Sequence, residues 1–263
     1  MTYAASPFSI ASSFEQNEDR NMTLPRILLL FAVTLLLGTG AATAAPSAPL
    51  ADVVATLEQG YASLKDLQAS FTQRTEMAAV KRSQTGSGEL FIRKGAGDRA
   101  LFRFNYVKPS QQIVSNGKTV WYYLPENRQV MTMDASALFA GGGGVALSYL
   151  TGIGQISRDF AVSFAGNGRD AKGNHVLDLV PKKQGQAFAR LQLTVSAKAV
   201  EEYQRAGKAT VPFPIVSSVV VDQMGSRTSF EFSKIRVNRG LAGSLFTFKA
   251  PAGVEVIQAP GVK

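Results

Sequence analysis

The chain has no cysteine, one histidine and one tryptophan in 263 residues. Without a thiol there is no disulfide, no thiolate nucleophile, no thiolate metal site and no cysteine-borne acyl anchor. His175 is the one side chain whose ordinary pKa lies near neutrality. It sits in the strand-like run NHVLDL, where no second ligand or nucleophile is spaced to meet it. A solvent-facing or capped strand histidine is therefore expected. Asp178, three residues on, falls on the opposite face of the same strand, so the two form no dyad. HxxxH, DxD and GxSxG patterns are missing, and GGGGVALS lacks the Lys-Ser/Thr that would grip a phosphate. These absences point to a protein that is not an enzyme and that needs no metal and no cofactor.

Acidic residues are in the minority, 19 against 28 basic, for a formal charge of +9. The N-terminus gives that excess a setting. Residues 1–21 are polar and patternless; then come Arg26, the apolar run Ile27–Leu37 and the small-x-small triplet Ala42-Thr43-Ala44. This is the layout of a secretory signal peptide, with a run too short for a comfortable membrane span. We expect residues 1–21 to be a mis-annotated extension with the true start at Met22, 22–44 to be the signal peptide, and 45–263 to form a single exported domain. An uncleaved anchor helix is the alternative. Gly40 stands where a lipobox would carry cysteine. Export makes nucleic acid an improbable partner; anionic lipid, lipopolysaccharide or an acidic partner suits the charge, as does a surface that is simply basic.

Within the domain, Leu50, Val53, Val54, Leu57, Tyr61 and Leu64 recur at helical spacing, predicting one amphipathic helix weakened at Gly60. From Leu67 the apolar period falls to two. LQASFTQRTEM, GSGELFIRK, RALFRFNYV, QQIVS, KTVWYYL and RQVMTM read as strands. Asn116-Gly117 predicts a two-residue type I′ hairpin turn, with Ile113 opposite Val120. LFAGGGGVALSYLTGIGQIS interrupts the pattern with short helical pieces divided by Gly141, Gly142, Gly143 and Gly144, a backbone-permissive hinge. Strands resume in DFAVSFAG, NHVLDLVPK, FARLQLTVS, PIVSSVVVD, SRTSFEFSKIRV and SLFTFKAP, with Ala197–Pro212 as a polar surface insertion. The sum is α+β or mainly β: roughly eleven antiparallel strands, with a helix before them and a helical patch between.

What the chain has in plenty is apolar surface. Phe102, Phe104 and Tyr106 share one strand face, and the hairpin adds Ile113, Val120 and Tyr122 to it, while Val114, Trp121 and Tyr123 occupy the other face. The aromatic wall is either core beneath the N-terminal helix or the lining of a lipid-holding hollow.

Several fragments in order resemble the outer-membrane lipoprotein carrier family, LolA: LKDLQASFTQ, GSGELFIRK with LFRFNY, IVSNGKTVWYYLPENRQV, LSYLTGIGQISRDFAV and LFTFKAPAGVEVI. The resemblance implies an unclosed antiparallel half-barrel of about eleven strands, lidded by helices over a hydrophobic cavity. It implies a periplasmic chaperone, monomeric, that takes acylated lipoproteins from an inner-membrane lipoprotein-releasing ABC transporter. It would pass them to an outer-membrane receptor of the LolB type. A lipid- or lipopolysaccharide-sensing regulator on the same fold, or a plain structural envelope domain, is the alternative. Carried onto this chain, the acyl-chain cavity falls on Phe102, Phe104, Tyr106, Ile113, Val120 and Tyr122. The lid falls on Leu138, Phe139, Leu147 and Leu150, hinged at Gly141–Gly144. The family's latching arginine has no exact counterpart, which leaves Lys94, Arg93 or Arg99 for that role.

Overall fold

A computed structural model describes residues 48–95, 99–136, 156–183 and 188–258. The expected lid and hinge residues, Leu138, Phe139, Leu147, Leu150 and Gly141–Gly144, lie outside them, as do residues 1–47.

Helix α1 spans Leu50–Ser63 and starts behind Pro49, whose carbonyl accepts from the N–H groups of Asp52 and Val53. Its apolar stripe buries Val53, Leu57 and Tyr61. The helix runs unbroken through Gly60, which stands there for a reason of packing. A β-carbon on Gly60 would lie 2.6 Å from the carbonyl oxygen of Val211, so glycine lets the residue 207–214 segment approach the helix backbone.

Among the described residues twelve strands follow in chain order: β1 Asp66–Met77, β2 Arg82–Lys94, β3 Ala100–Lys108, β4 Gln111–Ser115, β5 Thr119–Leu124, β6 Gln129–Asp134, β7 Phe160–Arg169, β8 His175–Pro181, β9 Phe188–Val195, β10 Ile215–Asp222, β11 Arg227–Val237 and β12 Glu255–Gln258. They form one sheet in the order β12-β6-β5-β4-β3-β2-β1-β11-β10-β9-β8-β7. The sheet is unclosed, with β12 and β7 at its edges. The protein is therefore mainly β. β1 to β11 pair antiparallel, while β12 joins β6 in parallel. A short helix α2, Ile156–Asp159, leads into β7.

Three sequence expectations need correction. The hairpin after β4 pairs Ser115 with Val120 and Ile113 with Tyr122, two residues out of the expected register. Only Gly117 takes a positive φ in this turn, at 83°, so the turn is not type I′, which needs two such residues. Instead the Asn116 side-chain oxygen accepts from the N–H groups of Lys118 and Thr119, at 2.9 and 2.8 Å. A shift of two keeps every side chain on its expected face.

SLFTFKAP is not a strand. Gly243–Phe246 is a 3₁₀ turn, and the chain beyond it lies against the sheet's outer face. Phe246 is fully buried, and Phe248 sits 6.4 Å from Trp121 and 5.5 Å from Tyr123, ring to ring.

The polar insertion contains a helix, α3, Ala197–Ala206, capped by Ser196 at its start and by Gly207 in the left-handed region at its end. It buries Ala199 and Val200, and Gln204 donates to the Asp52 carboxylate of α1 at 2.8 Å.

Candidate functional site

Strand register decides which side chains share a surface. β2 sets Ile92 beside Phe102 and Leu90 beside Phe104; β1 sets Leu67 beside Ile92 and Ala69 beside Leu90. β11 sets Phe232 beside Phe71 and Phe230 beside Gln73. With β4 and β5 added, this inner face carries all six residues expected for the cavity: Phe102, Phe104, Tyr106, Ile113, Val120 and Tyr122.

The rings on this face form a continuous file. Tyr61 of α1 meets Phe213 at 6.0 Å, Phe213 meets Phe232 at 5.7 Å, and Phe232 stacks on Phe230 at 6.3 Å. Phe230 reaches Phe71 at 5.8 Å, which is edge-on to Phe104 at 5.6 Å and to Tyr106 at 4.8 Å. Phe102 closes the file at 6.1 Å from Phe104. Each such pair adds about 0.5–1.5 kcal/mol beyond its area burial. Phe71, Phe213, Phe230 and Phe232 were not foreseen as part of the surface. The two-residue spacing in SFEF and the odd-numbered phase of LQASF were signals for three of them.

Burial is graded along the face. Phe102 and Val120 are 0 and 1% exposed, Phe104 6%, whereas Tyr106, Ile113 and Tyr122 are half-buried. The two tyrosines keep their hydroxyls satisfied locally: Tyr106 donates to Gln73 at 2.6 Å and Tyr122 to Gln111 at 2.7 Å. Burial raises both phenol pKa values, and for Tyr106 the neighbouring Tyr122 adds to it, so this surface stays uncharged.

The three candidate latch residues separate. Lys94 donates its ammonium to the carbonyl of Tyr61, in the last turn of α1, and burial lowers its pKa. Arg93 points the other way and donates to the Leu241 carbonyl at 3.1 Å. The Arg99 carbonyl accepts from the N–H of Gly95 at 2.8 Å. A cation on a helix C-terminal carbonyl is a favourable pairing, since the carbonyls there carry the negative end of the helix dipole.

His175 is buried rather than solvent-facing, at 2% exposure, on the same face as Leu177 and Leu179. It stacks against Phe164 at 6.2 Å, and its Nδ1 has no hydrogen-bond partner among the described residues. Asp178 does lie on the other face, 3.5 Å from Arg190. Among the described residues no three His, Asp or Glu side chains gather as metal ligands. The face is continuous and aromatic, with Lys94 as the cation at its α1 edge, and it presents an extended apolar surface.

Comparison with known proteins agrees. The family model described as outer membrane lipoprotein carrier protein LolA matches residues 62–209, from the end of α1 through α3. The chain belongs to this family. The LolA family is one of carriers rather than catalysts. An outer-membrane lipoprotein carrier protein of Chromobacterium violaceum is 30% identical over 229 residues, covering 87% of this chain and 97% of its own length. One of Pseudomonas paraeruginosa is 29% identical over 235 residues, covering 88% and 98%. Among solved structures, a LolA superfamily protein of Nitrosomonas europaea aligns over 77% of this chain and 99% of its own, at 13% identity and a TM-score of 0.36.

Proposed function

We propose that this LolA-family chain is a periplasmic carrier that shields the acyl chains of lipoproteins on its inner aromatic face. It would receive them from an inner-membrane ABC transporter and surrender them to an outer-membrane receptor of the LolB type, working as a monomer. The observation that carries this reading is the unbroken file of rings that runs from Tyr61 of α1 through Phe213 and along the inner sheet face to Phe102. At about 0.8 kcal/mol per buried methylene, a sixteen-carbon chain loses on the order of 12 kcal/mol on entering water. Only a comparably extensive apolar surface offsets that. Closed, the surface must be filled by the protein's own side chains, because an open one is an aggregation hazard. Leu138, Phe139, Leu147 and Leu150 are the proposed lid, hinged at Gly141–Gly144. Lys94 is the proposed latch, acting through α1. Tyr106, Ile113 and Tyr122, half-buried already, mark the proposed entrance.

The test is release of an acylated lipoprotein from inner-membrane vesicles into soluble complex with the purified protein. Wild type should hold the acylated cargo and not its unacylated counterpart. Ile113→Glu places a charge on the half-buried part of the face and should fold, by circular dichroism, yet retain no cargo. Normal retention by this variant, or equal binding of unacylated cargo, would overturn the reading.

A further inference from the structure

The most exposed large apolar side chains of the described residues are Met224, Val107 and Val80, at 71, 68 and 58%. All three lie at one end of the sheet, where β1 turns into β2, β3 into β4 and β10 into β11. The first and last of these turns are adjacent because β1 pairs with β11. Glu76 stands opposite Arg227, and the N–H of Ala78 donates to the Ser226 hydroxyl at 3.4 Å. Val80 and Met224 thus project from neighbouring tips.

The same tips are cationic. Lys81, Arg82 and Arg227 are exposed around them, and Arg74, Lys81, Arg82 and Arg227 line a hollow of about 360 Å³ between the two turns. Lys108, beside Val107, is exposed as well. The local acids are engaged. Glu76 pairs with Arg74 at 2.9 Å, and Asp222 accepts from the N–H groups of Met224 and Ser226 at 2.8 Å each. What faces outward is a pair of apolar points beside a cluster in which Lys81, Arg82 and Arg227 outnumber the acids once Arg74 is paired with Glu76, so the charge there is net positive.

We propose that this end docks reversibly on an anionic bilayer, the cations meeting lipid phosphates and Val80 and Met224 entering the headgroup layer. Charge complementarity selects the occupant, since a neutral apolar partner would leave the cationic cluster unmatched. Each Lys or Arg near an anionic leaflet adds modest attraction that salt screens over about a 10 Å Debye length. Shallow apolar insertion adds a second weak signal, and two weak signals together give contact that is real and short-lived. The inference does not depend on what the inner face carries, and its test contains no lipoprotein.

The experiment is co-sedimentation of the purified protein with vesicles of phosphatidylethanolamine and phosphatidylglycerol, against vesicles of phosphatidylcholine alone. Binding should appear on the anionic vesicles only and be removed by high salt. Lys81→Glu with Arg82→Glu should weaken it by roughly tenfold or more. Val80→Ser with Met224→Ser should weaken it several-fold with the charge unchanged. Lys118→Glu makes a single charge reversal at the exposed β4–β5 turn, at the opposite end of the sheet, and should leave binding near wild type. Failure to bind anionic vesicles at low salt overturns the proposal. So does a loss in Lys118→Glu equal to that in Lys81→Glu alone, which would make net charge rather than this end responsible.

Discussion

Replacing Gly60 by alanine is a perturbation whose sign depends on the packing of α1. In an isolated helix the change stabilises by about 1 kcal/mol, because glycine surrenders the most backbone entropy. Here the added methyl would sit 2.6 Å from the Val211 carbonyl oxygen and 3.3 Å from Cδ of Pro214. The nearer atom is backbone, and that backbone is held at both sides: Gly207 caps α3 before it and β10 begins at Ile215 after it. Between them Phe213, 3% exposed, is wedged against Tyr61 and Phe232. The segment cannot retreat without drawing Phe213 out of the aromatic file. Overpacking of this kind costs about 1–3 kcal/mol. Set against the helix-propensity gain, the net is a destabilisation of about 1 kcal/mol, or roughly 2–4 °C in Tm for a domain of this size. Thermal and urea unfolding of Gly60→Ala beside wild type gives the answer. A Tm at or above wild type would refute the reasoning and show that residues 207–214 do not brace α1.

Two further changes probe buried polar groups. His175 loses protons more readily in the fold, chiefly through burial and then through Arg169, with Glu201 opposing in part. The folded pKa lies below the unfolded 6.5, so the unfolded chain binds more protons between the two values. Stability should be full above about pH 6.5 and fall as the pH drops toward the folded pKa. Tm measured from pH 7.5 down to pH 5.5 should therefore decline less in His175→Gln than in wild type, and parallel declines would show that His175 does not contribute. The Tyr61 hydroxyl is buried with no hydrogen-bond partner among the described residues. Tyr61→Phe removes an unsatisfied donor and should raise the urea midpoint, by about 1 kcal/mol in stability; a fall of that size would mean the hydroxyl has a partner.

Period-two alternation made the β-rich class and most strand positions legible, since half-buried strands must alternate. The features that escaped reading follow from what alternation cannot report. In SLFTFKAP it records one-sided burial of an extended segment, Phe246 and Phe248 facing inward, without saying whether the backbone pairs with a neighbour. In NHVLDLVPK the phase of Leu177 and Leu179 already placed His175 on the apolar face. The prior that histidine seeks water hid it. α3 was obscured by its polarity, although Ser196 and Gly207 are ordinary start and stop signals. The turn at Asn116-Gly117 shows a different limit: the side-chain oxygen of asparagine takes the Lys118 N–H that a type I′ turn would give to the Ser115 carbonyl. The six inner-face residues were placed together because faces survive an even shift in register. Their partners across the sheet, on β1 and β11, are separated from them by more than a hundred residues of chain in the case of Phe230 and Phe232, and only pairing brings them in.

The sheet has two apolar faces and therefore needs two covers, and the covers differ in kind. The outer one is built from residues 241–258. Phe246 is fully buried, Leu241 and Leu245 offer carbonyls to Arg93 and Arg103 at 3.1 and 3.3 Å, and β12 is hydrogen-bonded along β6. Its polar anchors tie it to the sheet from one end to the other, so lifting it would break backbone pairing and strand arginine donors together. The inner cover contributed by α1 meets the sheet strands through side-chain packing, with Lys94 as its polar tie to β2, while Asp52, Glu58 and Gln59 accept from Gln204, Ser157 and Ala209, which lie off the sheet. Apolar contacts can be exchanged for other apolar contacts at little net cost, because they are non-directional, whereas a hydrogen-bond ladder cannot. Of the two faces, the inner one is thus the face whose apolar contacts exchange more readily, which is what the proposed carrier function requires of it.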